Sequence, residues 1–78
     1  MMNFDVIQDW TDTIVEMNCG NSRDVRYKVF IDGARRIQEI RETDGTLIRK
    51  QELPQGMVNG RVSFEASVRH VLAELASA

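Results

Sequence analysis

The sequence predicts a two-layer α+β domain in which two helices cover one face of a three-stranded antiparallel meander, in the order α-β-β-β-α. Three observations indicate this fold. The opening stretch repeats its acids at helical spacing, residues 23–53 alternate with a period of two around two glycine turns, and the last stretch has a narrow apolar stripe at helical spacing. Each helix then has one apolar side and the meander one apolar face, so two layers bury all three.

The opening stretch NFDVIQDWTDTIVEM, residues 3–17, contains four acids and no base. Asp5, Asp9, Asp12 and Glu16 follow one another at steps of four, three and four. At about 100° per residue they fall within an arc of roughly 60°, with Trp10 among the apolar residues on the opposite side. The spacing predicts a helix whose acidic strip faces solvent.

Residues 23–53 predict three strands joined by two turns. Asp32-Gly33 is a two-residue hairpin signal, and ETDGT fits a three-residue loop whose glycine is left-handed. These turns place Val25 opposite Ile40, and Ile40 opposite Ile48, on one apolar face. The segment ARRIQEIRE, residues 34–42, also fits a helix, so that alternative stays open.

The same registers pair acids with bases across the strands. They place Arg26 opposite Glu39, Glu39 opposite Arg49, Asp24 opposite Arg41 and Arg36 opposite Glu52. The second face of the meander is therefore expected to carry a charged ladder.

PQGMVNGRV, residues 54–62, predicts a loop with a short extra strand around Met57 and Val58. Ser63 is expected to cap the second helix. The apolar stripe of that helix comprises Phe64, Val68, Val71, Leu72 and Leu75.

Size and composition predict one domain, residues 1–78, of ordinary globular type. The chain is 42% hydrophobic and 28% charged, with net charge −2, which is atypical of disordered chains and of proteins that bind nucleic acid by bulk positive charge. Cys19 is the only cysteine, so no internal disulfide is expected. A basic leader and a long apolar run are both missing, and we expect a cytoplasmic protein.

No residue pattern predicts catalysis or a cofactor. Cys19 and His70 are not brought together by their spacing, and no third group orients them. Asp5, Asp9 and Asp12 lack a liganding loop, so a solvated surface is favoured over a metal site. The five glycines do not form a phosphate-binding loop. We expect a protein that is not an enzyme and holds no cofactor or metal.

The favoured hypothesis is a non-catalytic protein-binding module with two candidate surfaces. A small compact chain of this kind suits an inhibitor or adaptor, such as those of phages and mobile elements, that occupies a surface of a host complex. One surface is the acidic strip, Asp5, Asp9, Asp12 and Glu16, which suits a basic protein partner. The other is the charged sheet face, where apolar residues interrupt the bases: Arg26, Phe30, Arg35, Ile37, Arg41, Leu47 and Arg49. The strand Thr46 to Leu53 is an expected sheet edge, through which the chain can form a homodimer.

The alternative hypothesis is nucleic-acid binding through the sheet arginines. Residues 23–50 hold eight bases and five acids, although cross-strand pairing absorbs several of these bases. The predicted order resembles the double-stranded RNA-binding domain, and GRVSFEASVRHVLAEL, residues 60–75, resembles the entry to the last helix of that family. That resemblance implies two helices on one face of a three-stranded sheet. Where the family has a lysine cluster this chain has Phe64, Glu65 and Ala66, so no RNA-contacting residues are transferred.

Overall fold

The protein is a four-stranded antiparallel sheet followed by one helix, as seen in a computed structural model that describes residues 5–17 and 20–77. The elements are β1 (Asp5–Glu16), β2 (Ser22–Asp32), β3 (Arg35–Glu42), β4 (Leu47–Glu52) and α1 (Arg61–Ser77), and the strands lie in chain order. The predicted α-β-β-β-α order with a three-stranded meander is therefore wrong. The opening stretch is a strand, and one helix covers the sheet. The resemblance to the double-stranded RNA-binding domain depended on the α-β-β-β-α order, and the observed order does not support it.

β1 is a strand, as its composition favours. Two bulges hide the alternation that would have identified it as one. Most of its residues are β-branched or aromatic, and Ala, Leu, Lys and Arg are absent from residues 5–16. The pairing with β2 shifts register between Val6 and Gln8, and again between Gln8 and Thr11. Each shift adds one residue to β1 and resets which face the next side chain occupies. The resulting spacing of apolar residues imitates a helix.

The four acids of the predicted strip consequently do not share a helix face. Asp5 and Glu16 lie at opposite ends of the 12-residue strand, roughly 35 Å apart at about 3.3 Å per residue. β1 also pairs along β2, so β2 is an inner strand, whereas the predicted three-stranded meander would leave it at an edge.

The strand prediction for residues 23–53 is confirmed, and residues 35–42 form β3 instead of the alternative helix. The first register is wrong by two residues, since Tyr27 lies opposite Ile40 where Val25 was expected. The turn consists of Gly33 and Ala34, and Gly33 has a φ of +66°, the glycine-first pattern of a type II′ turn. A shift of two keeps each side chain on its predicted face.

The β3–β4 turn forms as predicted, but a bulge beyond it changes the faces of β4. Gly45 has a φ of +96°, and the Glu42 N–H donates to the Thr46 carbonyl at 2.8 Å. Arg41 pairs with Leu47 and Ile40 with Arg49, which leaves Ile48 as the extra residue. Ile48 still packs against the core, as expected. Arg49, however, is turned to the helix side of the sheet.

Helix α1 packs its apolar stripe on the sheet. The helix begins at Arg61, before the predicted cap at Ser63, and the Gly60 carbonyl accepts from the Phe64 N–H at 3.0 Å. Four of the five predicted stripe residues are buried, and Leu75 is 41% exposed near the helix end. Residues 53–60 contain no additional strand. The core includes Val15, Val25, Tyr27, Val29, Ile40, Leu53, Phe64, Val68, Val71 and Leu72.

A polar cluster beneath α1 fixes the helix on the sheet. Gln38 is fully buried, and its Nε2 donates to the Phe64 carbonyl at 2.9 Å. Gln51 Nε2 donates to Gln38 Oε1 at 3.0 Å and to Ser67 Oγ at 2.9 Å. Because buried amides are costly without partners, these bonds favour one position of the helix on the sheet.

No helix in the described part of the chain is long and apolar enough to cross a bilayer.

Candidate protein-binding surface

Helix α1 covers one face of the sheet, and within the described residues no element covers the other. We call this second side the open face. By strand register, its central residues are Trp10, Arg26, Lys28, Phe30, Ile37, Glu39, Arg41 and Lys50. A one-sided sheet of this kind leaves its second face to solvent or to a partner.

The centre of the open face is a cluster of aromatic rings and cations. Arg26 Cζ lies 5.6 Å and Lys28 Nζ lies 5.8 Å from the centroid of the Trp10 ring. Lys28 Nζ also lies 5.8 Å from the Phe30 ring centroid, and Lys50 Nζ lies 5.7 Å from it. These distances are within the range of cation–π attraction. Trp10 remains 37% exposed, so its ring is accessible at the surface.

Two nearly buried apolar residues lie beneath the aromatic and cationic side chains of this cluster and pack against each other. Phe30 and Ile37 are direct cross-strand partners on the open face. They are only 7% and 9% exposed, since the neighbouring long side chains cover them. The lysine stems thus contribute apolar cover while their ammonium groups stay near the rings.

The arginines of the open face have carboxylate partners. Arg41 Nη2 lies 2.6 Å from Glu39 Oε2, and Arg35 Nε lies 3.1 Å from Glu52 Oε1. Arg26 Nε lies 3.5 Å from Asp12 Oδ1. That Nε is buried and donates no hydrogen bond within the described residues. The expected pairing of arginines with acids is therefore present, although the partners differ from the predicted ones.

Most of the residues predicted for the sheet surface lie together on the open face. They are Arg26, Phe30, Arg35, Ile37, Arg41 and Leu47. Arg49 does not, because the β4 bulge directs it to the helix side, where its Nη1 lies 3.1 Å from Glu74 Oε1.

The predicted acidic surface is dispersed along β1. Asp12 and Glu16 lie on the open-face side, opposite Arg26 and Ser22. Asp9 lies within the second bulge, between Gln8 and Thr11, and its Oδ1 accepts from the Trp10 N–H at 2.8 Å. Its carboxylate thus supports the local backbone.

Sequence reasoning missed Trp10, Lys28 and Lys50 as members of one surface. Trp10 was placed in a helix, whereas the tryptophan among β-branched residues was a signal for a strand. Lys28 alternates with buried Tyr27 and Val29, so its face was readable from the period of two. Lys50 was not readable, because the β4 bulge exchanges the faces expected for Arg49 and Lys50.

The opposite side of the sheet holds a hydrogen-bonded chain that supports the fold. The Tyr27 hydroxyl donates to Glu65 Oε2 at 3.0 Å and accepts from Gln8 Nε2 at 2.8 Å. Burial raises the pKa of Tyr27 to about 12, and the Glu65 carboxylate acts in the same direction. Burial also acts to raise the pKa of Glu65, but hydrogen bonds from Arg61 and Tyr27 outweigh it and lower that pKa. Tyr27 stays a proton donor at neutral pH.

The residues considered for catalysis are not assembled into a site by the described structure. His70 is exposed on α1, with Nε2 3.9 Å from Glu74 Oε2. Cys19 lies outside the described residues. Comparison of the chain with protein-family models, with curated proteins and with solved structures finds no match.

Proposed function

We propose that this chain is a non-catalytic, cytoplasmic protein-binding module whose contact surface is the open face. The observation that carries the proposal is the half-exposed Trp10 set among cations on an uncovered sheet. Tryptophan and arginine are enriched among residues that dominate binding energy at protein interfaces. Val6 and Ile14, exposed on the same side of β1, extend the apolar contact area.

The dimensions of the open face support a transient complex. Four strands at about 4.8 Å spacing, each about 25 Å long, give an area on the order of 500 Å². A standard interface buries about 800 Å² per partner. The open face alone is smaller than that, which is the size range of weak, transient complexes unless the partner also contacts the rim. An inhibitor or adaptor that occupies a surface of a larger complex is the role we favour for a chain of this size.

Protein binding is favoured over nucleic-acid binding because cations already cover the aromatic rings of the open face and carboxylates already pair with its arginines. Base stacking uses an accessible aromatic face, whereas cations lie over both Trp10 and Phe30. The arginines that would contact phosphates already have acidic partners on the open face. Binding of nucleic acid stays a prediction, to be tested by gel shift with duplex and single-stranded RNA and DNA at low salt.

A selection from random 12-residue peptides displayed on phage tests the proposal, with the full chain as bait. Binders should lose at least tenfold in affinity with Trp10→Ala or with the milder Ile14→Ser. Val62→Ala is the matched control, because Val62 is 88% exposed on α1 away from the open face. Circular dichroism of each variant checks folding. Failure to recover any binder, or recovery only of binders that ignore both open-face changes, contradicts the proposal.

Homodimerisation through an edge strand is a separate proposal. β4 is one edge of the sheet, and Leu47 at its start is 49% exposed. Unpaired backbone groups at such an edge can pair with a second copy. Light scattering from micromolar to millimolar concentration should show dimer, and only monomer throughout would contradict it.

A further inference from the structure

Two lysines at the centre of the open face lack carboxylate partners. Lys28 and Lys50 both lie directly opposite Glu39, one on each neighbouring strand. The register would therefore place Glu39 between two ammonium groups. Its carboxylate instead bonds Arg41 of its own strand, with both Nε and Nη2 at 2.6 Å from Oε2. Among the described residues, no acid lies within ion-pair distance of Lys28 or Lys50.

Phe30 holds these two cations close to one another. Both ammonium nitrogens lie within 5.8 Å of its ring centroid, and their strands are separated by one strand, which is roughly 10 Å. Like charges at this separation repel, and a bound anion relieves that repulsion. The two lysines thus form a positive centre around a nearly buried ring.

The rim of the open face has the opposite sign. By register, Asp12, Glu16, Asp24, Asp32 and Glu52 lie on the open-face side around the positive centre. Arg26 and Arg35 pair with Asp12 and Glu52, so the excess negative charge of the rim comes from Glu16, Asp24 and Asp32. This pattern is complementary to a partner that is negative at the centre of its contact and neutral or basic around it. A second copy, face to face, would bring lysines onto lysines. A nucleic-acid backbone, with one charge every 3.4 Å per strand, would also meet the rim acids.

A short acidic protein segment satisfies this pattern. Acidic side chains two residues apart in an extended segment lie about 6.6 Å apart on one side. Flexible lysine stems roughly 10 Å apart can reach both carboxylates. An apolar residue beside the acids would then contact the exposed edge of Trp10.

Resting on the proposed function, we propose that the open face binds an acidic segment of a partner protein, with Lys28 and Lys50 each pairing with a carboxylate and Trp10 contacting an adjacent apolar side chain. The ion pairs supply specificity, and the ring supplies apolar contact. The affinity of such a segment falls with added salt because exposed ion pairs are screened.

The test uses the selected peptides and charge-removing variants of neighbouring residues. Peptides whose binding depends on Trp10 should be enriched in Asp and Glu at pairs of nearby positions. Lys28→Gln and Lys50→Gln should each lower the affinity of these peptides about three- to tenfold. Arg49→Gln is the matched control, because Arg49 adjoins Lys50 in sequence but pairs with Glu74 on the helix side.

The possible failures are distinguishable. Trp10-dependent peptides without acidic enrichment, or binding unchanged by both lysine substitutions, would overturn the acidic-segment inference while leaving the protein-binding proposal intact. Peptides whose binding is independent of both Trp10 and Ile14 would contradict the proposed function itself. An equal loss of peptide affinity with Arg49→Gln would show that the lysine substitutions act only through the net charge of the chain. That result would also overturn the inference. Tighter binding of single-stranded oligonucleotides than of acidic peptides would assign the lysines to nucleic acid.

Discussion

Substituting threonine at Val15 and at its neighbour Ile14 separates the strand from the helix predicted for the opening stretch. Val15 is 4% exposed in the core, whereas Ile14 is 68% exposed on the other side of β1. Threonine keeps the β-branch in both cases, so strand propensity changes little. Ile14→Thr removes one more carbon than Val15→Thr does, so the larger truncation is at the exposed site and a larger loss at Val15 reports burial. In the helix interpretation both residues lie on the apolar side, and both substitutions should be costly.

The expected magnitudes follow from this difference in burial. Val15→Thr replaces a buried methyl by a hydroxyl of similar size, at a cost of about 1–3 kcal/mol when the hydroxyl finds no good partner. Ile14→Thr changes an exposed side chain and should cost about 0.5 kcal/mol or less. A domain of this size has only about 3–5 kcal/mol of core stability, so the first change should remove a large part of it.

Urea unfolding, followed by circular dichroism, measures both effects. With a denaturant dependence of about 1 kcal/mol per molar urea, Val15→Thr should lower the midpoint by roughly 1–3 M. Ile14→Thr should leave the midpoint within about 0.5 M of the parent. Similar losses for the two variants would refute the assignment of β1.

Three further predictions concern the helix side of the sheet. Tyr27→Phe should lower the free energy of unfolding by about 1–2 kcal/mol at neutral pH. The raised pKa of Tyr27, about 12 against 10.0, adds stability that is complete below pH 10 and lost towards pH 12, so urea midpoints should fall less steeply there in the variant. Glu65→Gln should cost about 1 kcal/mol at pH 7. Because the pKa of Glu65 is lowered from 4.5, that difference should persist above pH 4.5 and disappear as the pH falls through the folded value, and an unchanged difference at pH 2 would contradict this. Arg49→Gln should cost no more than about 1 kcal/mol, since its pair with Glu74 is at the surface, and a larger loss by thermal melting would contradict the exposed pairing.

The sequence predicted the elements whose periodicity is uninterrupted. β2 alternates without a bulge, and α1 places its buried residues at regular helical spacing, so both were recognisable. The first turn was misplaced by one residue, which shifted the cross-strand register by two. The partners changed but the faces did not, because side-chain direction repeats every two residues.

Failures of prediction occurred at the bulges. Two register shifts in β1 converted a strand pattern into an apparent helix, and the extra Ile48 in β4 exchanged the faces expected for Arg49 and Lys50. A bulge depends on both paired strands, so the periodicity of one strand alone does not reveal it. The bulges therefore kept Trp10 and Lys50 out of the predicted surface, and Lys28 was left out of it although the period of two in β2 placed it on that face.

The most direct test of the account is a proton NOE measurement between Trp10 and β2. The structure places the Trp10 ring over Arg26 and Lys28 and pairs Asp12 with Arg26 and Ile14 with Asp24. We expect indole contacts to the methylene protons of both basic side chains, together with backbone contacts across these pairs. Sequential amide contacts along residues 5–16, with no contact from Trp10 to β2, would show a helix there and remove the open face that we propose as the binding surface.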